Sequence, residues 1–206
     1  MIQDKEARRV IANALGNALN DLVRDRMRGL VEEPDITSRI GQRLEDRFDG
    51  VMLEDYRVRI ITETITSHGP RSLEKPTGMD LYFAISVEDD LGNEVTKGIL
   101  VQAKRGDKTA LPDLVEQSRR MNKISKKGSV IWVYSPNGIS VLRSVDVSRP
   151  IARGFGVDNL FERVFECELG DLRRVPKGRF GDRENLKEMI EELGAKNAVW
   201  LDFKWA

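Results

Sequence analysis

One cysteine, one histidine and no excess of either charge narrow what this 206-residue chain can be. With Cys167 alone, neither an intramolecular disulfide nor a thiolate zinc cage is available, and a lone His68 removes the usual histidine-based zinc enzymes. The 34 lysines and arginines balance the 34 aspartates and glutamates, which argues against a protein that coats nucleic acid through bulk charge. No window approaches 18 consecutive apolar residues, and the opening MIQDKEARRV carries charges where a signal peptide needs an apolar region. A cytoplasmic protein with no membrane partner is expected. There is no internal repeat, no low-complexity tract and no glycine-rich phosphate loop; GRFGDR lacks the strand-to-helix context that would make it one.

What is present suits a folded domain: 40% of residues are hydrophobic and 33% charged, in a length that allows one sizeable core with appendages. Residues 3–30 lack proline, and Val10, Ile11, Leu15, Ala18, Leu22, Val23 and Met27 recur at helical spacing. Glu33-Pro34 interrupts that pattern, and Thr37 or Ser38 can cap a second helix carrying Ile40, Leu44 and Phe48. From Tyr56 the period becomes two, which predicts a strand to about Thr66. The turn-rich SHGPRSLEKPTG follows. MDLYFAISVEDD and TKGILVQAKR, joined by a short turn, predict an antiparallel hairpin in the middle of the sheet. A helix is expected over residues 114–125, then strands at SVIWVYS and ISVLRS. Beyond Pro150 the pattern weakens, with a strand expected near RVFECEL, a helix near ENLKEMIEEL and an aromatic tail, VWLDFKWA. The order predicts an α/β sheet with helices on its faces.

GILVQAKRG contains the residues that carry chemistry. Residues two apart on a strand face one side, roughly 6–7 Å from each other, so Gln102 and Lys104 point together, opposite Ile99, Val101 and Ala103. The hairpin can bring Asp80 beside Gln102. Burying such a patch is costly unless every group finds a partner. One account is an edge salt bridge between Asp80 and Lys104, with Gln102 exposed. The other is a hard divalent cation between Asp80, the Gln102 amide oxygen and the Ala103 backbone carbonyl, because Mg²⁺ prefers oxygen ligands. Lys104 would then act on an attacking water and on a phosphate that gains charge.

TGMDLYF followed by a strand ending VQAKR, and then by QSRRM, resembles the PD-(D/E)xK nuclease superfamily. Within it, the chain is most similar to the Q-x-K branch of Mrr-like restriction proteins and anti-phage defence nucleases. The resemblance covers about residues 36–144. It implies a restriction-endonuclease-like αβββαβ core with a mixed central sheet flanked by helices, plus an N-terminal helix and a C-terminal α/β extension. The corresponding divisions are an N-terminal helical segment (1–35), a nuclease core (36–148) and an extension packed on the core (149–206). It implies further a metal-dependent endonuclease that hydrolyses DNA phosphodiester bonds with Mg²⁺ or Mn²⁺. Asp80, Gln102 and Lys104 take the motif positions, and a first-helix acid completes the site. Glu45 is the candidate, with Asp46 and Glu54 as alternatives, and a solvated helix residue is the plain reading of Glu45.

Gln102 stands where the commoner pattern has an acid, and a neutral ligand holds metal more weakly. The alternative function is therefore a catalytically silent nuclease fold that serves in binding or assembly. The remaining expectations concern partners. Two basic clusters occur, at residues 116–127 and 171–179, and each alone reads as a solvated face. With the site nearby, Gln117, Arg119, Arg120 and Lys123 are expected to follow a nucleic-acid backbone, joined by Arg71 and Lys75 of the His68 loop. Cys167 reads as a small buried strand residue, and Trp132, Trp200 and Trp205 as core or interface. A homodimer would supply two sites for duplex cleavage, and a separate partner protein could supply target recognition.

Overall fold

The computed structural model describes residues 1–29, 32–64, 79–106, 111–148 and 154–206. Two helices lead. Helix α1 (Lys5–Met27) is capped by the Asp4 side chain, which accepts from the Ala7 N–H at 2.6 Å, and it buries the periodic Ile11, Leu15, Ala18, Leu22 and Val23. Helix α2 (Glu33–Phe48) starts a turn earlier than the sequence suggests. Pro34 lies in its first turn, where a missing N–H costs nothing, and the Thr37 hydroxyl donates to the Glu33 carbonyl at 3.0 Å rather than capping.

After a short strand β1 (Met52–Leu53) come β2 (Tyr56–Thr64), β3 (Leu81–Glu88), β4 (Glu94–Arg105), α3 (Leu111–Ile124), β5 (Ser129–Ser135) and β6 (Gly138–Arg143). The chain continues through β7 (Phe155–Gly156), α4 (Val157–Phe165), α5 (Arg183–Leu193) and β8 (Asn197–Trp205). All eight strands form one mixed sheet in the order β1-β2-β8-β3-β4-β5-β6-β7. β3 and β4 make the expected antiparallel hairpin in its middle. Residues 149–206 do more than pack on the core. β8 enters between β2 and β3, antiparallel to the first and parallel to the second, so the final segment is a central strand. Its large apolar residues on both sides, Val199, Leu201 and Phe203 against Ala198 and Trp200, suit a strand covered on both faces.

Helices α1, α2 and α4 cover one face of the sheet and α3 and α5 the other, each over its own cluster of buried side chains. The strand expected near RVFECEL is α4 and the turn after it. Val157, Leu160, Phe161, Val164 and Phe165 recur at helical spacing and are all buried, a period that a window opening at Arg163 cuts in half. Cys167 is exposed in that turn, with φ 68°, rather than buried in a strand. Trp132 and Trp200 are core residues, and Trp205 packs edge-on against Tyr56. Among the described residues no helix is long and apolar enough to cross a membrane.

Candidate active site

Three strands meet at Asp80. Its N–H donates to the Val101 carbonyl of β4 at 3.0 Å, and its own carbonyl accepts from the Asn197 N–H (3.3 Å) and side-chain amide (3.2 Å) at the start of β8. The carboxylate is therefore fixed at a strand end by backbone on both sides. Its Oδ2 accepts from the Ala103 N–H at 3.0 Å and from the Gln102 amide. Gln102 is 2% exposed, on the α3 face with Leu100, while Ile99, Val101 and Ala103 fill the opposite cluster. The glutamine is thus not the exposed residue of an edge salt bridge.

The amide arrangement leaves one group stranded. Gln102 Nε2 also donates to the Ala103 carbonyl at 3.0 Å, whereas Gln102 Oε1 is buried with no hydrogen-bond partner among the described residues. An unsatisfied buried carbonyl oxygen costs about 1–3 kcal/mol, so its place beside a carboxylate calls for a ligand that accepts oxygen lone pairs. Burial, and after it the charge of Glu33, pushes the Asp80 carboxyl up to about 6, against the Ala103 N–H and the charges of Lys104 and Lys196. A cation would relieve both strains at once.

Lys104 Nζ lies 3.8 Å from Glu33 Oε1, and Glu33 Oε2 accepts from the Arg105 N–H at 2.8 Å. The first turn of α2 therefore overhangs the strand end and delivers an acid there. That acid is Glu33, not Glu45. Glu45 accepts from Thr62 of β2 at 2.9 Å, and β8 separates β2 from β3, placing Glu45 over a strand about 9–10 Å from the Asp80 strand. Asp46 is held by Gln42 (2.6 Å), and Glu54 sits in the β1–β2 turn with φ 51°. The signal for Glu33 was present in the sequence, since acids and proline both favour the first turn of a helix. Lys196 and Asn197 were hidden because nothing local announces that β8 joins this point.

The residue types fit a hard cation: two carboxylates, one stranded amide oxygen and no soft ligand. Among the described residues no three His, Cys, Asp or Glu side chains converge on one metal position, so an ion held here would need the Gln102 oxygen as well as the carboxylates. The Ala103 carbonyl, expected as a ligand, is occupied by the Gln102 amide.

On α3, Met121 is fully buried and Gln117 carries a buried, unpartnered Oε1. Arg119 and Arg120 both reach Glu116, at 3.3 and 3.2 Å, and Lys123 is exposed. Arg71, Lys75 and His68 lie outside the described residues. Comparison with known proteins finds no matching family model, no matching curated protein and no matching solved structure.

Proposed function

We propose that the chain is a metal-dependent DNA endonuclease with a restriction-endonuclease-like core, hydrolysing phosphodiester bonds at Asp80, Gln102, Lys104 and Glu33. One observation carries this reading: the stranded, buried Gln102 oxygen beside a carboxylate held protonatable by burial, with a lysine two residues along the same strand. Asp80 and Gln102, with Glu33, would hold Mg²⁺ or Mn²⁺, which when bound polarises a phosphoryl oxygen and lowers the pKa of water. The protein's own groups do the rest. Glu33 holds the Lys104 ammonium at the strand end, so its protons can meet a phosphate oxygen as negative charge grows. Lys196, exposed at the start of β8 and close enough to Asp80 to lower its pKa, supplies a second cation to a bound phosphate. The Asn197 bonds and the Ala103 N–H keep Asp80 from turning away when it is charged.

Purified protein incubated with supercoiled plasmid and Mg²⁺ or Mn²⁺ tests this. Nicking or linearisation is expected, absent in EDTA and reduced at least about 100-fold by Lys104→Ala or Asp80→Ala. Undiminished cleavage in either variant removes the assignment. A second reading, a silent nuclease fold that only binds or assembles, draws on the Gln102 amide, which satisfies one Asp80 oxygen without any metal. A melting temperature raised by Mn²⁺ in the wild type and not in Asp80→Ala counts against it.

A further inference from the structure

The two basic clusters of the sequence meet in space. Lys123, Lys126 and Lys127, at the end of α3, line one open cavity of about 530 Å³ together with Arg173 and Arg174. The second segment is docked rigidly. Gly98 and Asp171 exchange two backbone hydrogen bonds of 3.0 Å, the Tyr82 hydroxyl donates to the Arg174 carbonyl at 2.8 Å, and a Cβ on Gly98 would stand 1.8 Å from that carbonyl.

Asp171 is 6% exposed, and its carboxylate accepts from Arg173 Nε (3.2 Å) and Nη2 (3.1 Å). A buried acid thus fixes the direction of a guanidinium that is itself 82% exposed. Arg174 pairs with Glu192 at 3.2 Å, and Lys127 donates to the Cys167 carbonyl at 3.3 Å. Lys123 and Lys126 make no ion pair among the described residues. Lysines at a helix C-terminus ordinarily answer the macrodipole, but that accounts for only about half a charge. Five cations against two carboxylates and that half charge leave a clear positive surplus.

The second segment docks at Gly98 and Gly128 bonds to Leu100, so the cavity lies about 13–20 Å from Gln102 and Lys104, four to six residues along β4 at about 3.3 Å each. Arg119 and Arg120 lie between the two along α3. We infer that this cavity grips the phosphodiester backbone of the DNA whose cleavage is proposed above, anchoring the duplex some four to six base pairs from the scissile bond, as about 3.4 Å per step allows. The choice of DNA as ligand rests on the nuclease reading; the convergence of charge does not.

The test is binding of a fluorescent 30-base-pair duplex to the full chain in EDTA, where no cleavage occurs, across a range of salt. Lys123→Glu/Lys126→Glu, two exposed changes with no ion-pair partner among the described residues, is expected to lower affinity at least about tenfold and to flatten the log–log salt slope by about 2. The neutral pair Lys123→Gln/Lys126→Gln should fall between, and far-UV circular dichroism should match the wild type. Unchanged affinity and slope in the charge-reversed protein overturn the inference, as does a wild type that does not bind the duplex. Failure of the nuclease reading looks different: an uncut plasmid, with duplex binding in EDTA intact and still sensitive to Lys123 and Lys126.

Discussion

The two faces of the sheet are built to different standards. Beneath α1, α2 and α4 the buried set is almost wholly apolar; Thr37 and Lys97 are its buried polar members among the described residues. Beneath α3 and α5 lie Ser86, Gln102, Ser118, Ser125, Ser129, Ser144, Asp171 and Asp202. Each buried polar group stabilises less than a hydrocarbon of its size unless its bonds are complete. Both the candidate active site and the basic cavity open on that second side. The difference teaches that one face supplies the stability that the other gives up to position charge at a strand end and a helix end.

The largest expected effect tests the apolar face. Phe161, 1% exposed, meets Phe83 edge to face at 6.0 Å between ring centres, and Phe161→Ala should cost about 3–5 kcal/mol in urea unfolding. A cost below about 1.5 kcal/mol would show that this face does not carry the fold. A smaller loss is expected from the polar face. Arg59 donates to the 2%-exposed Asp202 side chain through Nε (2.8 Å) and Nη2 (2.6 Å), and stacks over Phe180 at 4.7 Å. Burial raises the Asp202 pKa, and Arg59 works against the rise. Arg59→Ala should therefore cost about 2–4 kcal/mol at pH 7.5, at the lower end because Arg59 is half exposed. The loss should be smaller at pH 4.5 than at pH 7.5, because burial raises the Asp202 pKa, losing Arg59 raises it further, and acid favours the neutral carboxyl that needs no charged partner; it should be largely recovered by Asp202→Asn. An equal loss at both pH values would mean that packing, not charge, holds this corner.

How much of this could be read in the sequence follows from how local each signal is. The β3–β4 hairpin and the shared side of Asp80, Gln102 and Lys104 follow from a two-residue period and a short turn, all within 26 residues. Glu33 is easily missed in the sequence because Pro34 reads as an interruption, although proline in a first turn marks a helix start. β8 could not be placed at all. Its partners are Tyr56 to Thr64 on one side and Leu81 to Glu88 on the other, and pairing over such separations leaves no mark in either segment alone. Glu45 follows core-facing Leu44 and does sit at the edge of the buried face, but over β2, which the inserted β8 separates from the strand of Asp80. α4 and the turn at Cys167 escape any window that opens after Val157, where the helical period starts.

The last expected effect runs opposite to the others and separates function from stability most directly. Asp80 has a folded pKa of about 6, above the ordinary carboxylate value near 3.9, so between those values the folded state binds more protons than the unfolded one. Stability from this group is then fully present below about pH 4 and lost as pH rises through 6. Asp80→Asn removes that loss. The amide oxygen of the asparagine can accept the bonds from Ala103 and Gln102, and no charge remains to be desolvated. Without divalent ions the variant should be more stable than the wild type by about 2–3 kcal/mol at pH 7.5, with the gain fading towards pH 4, while Mn²⁺ stabilises the wild type alone. Urea unfolding at both pH values, with and without Mn²⁺, measures all four quantities. A variant less stable than the wild type at pH 7.5 in EDTA would mean that ionised Asp80 holds the three strands together, and would return the residue to a structural role.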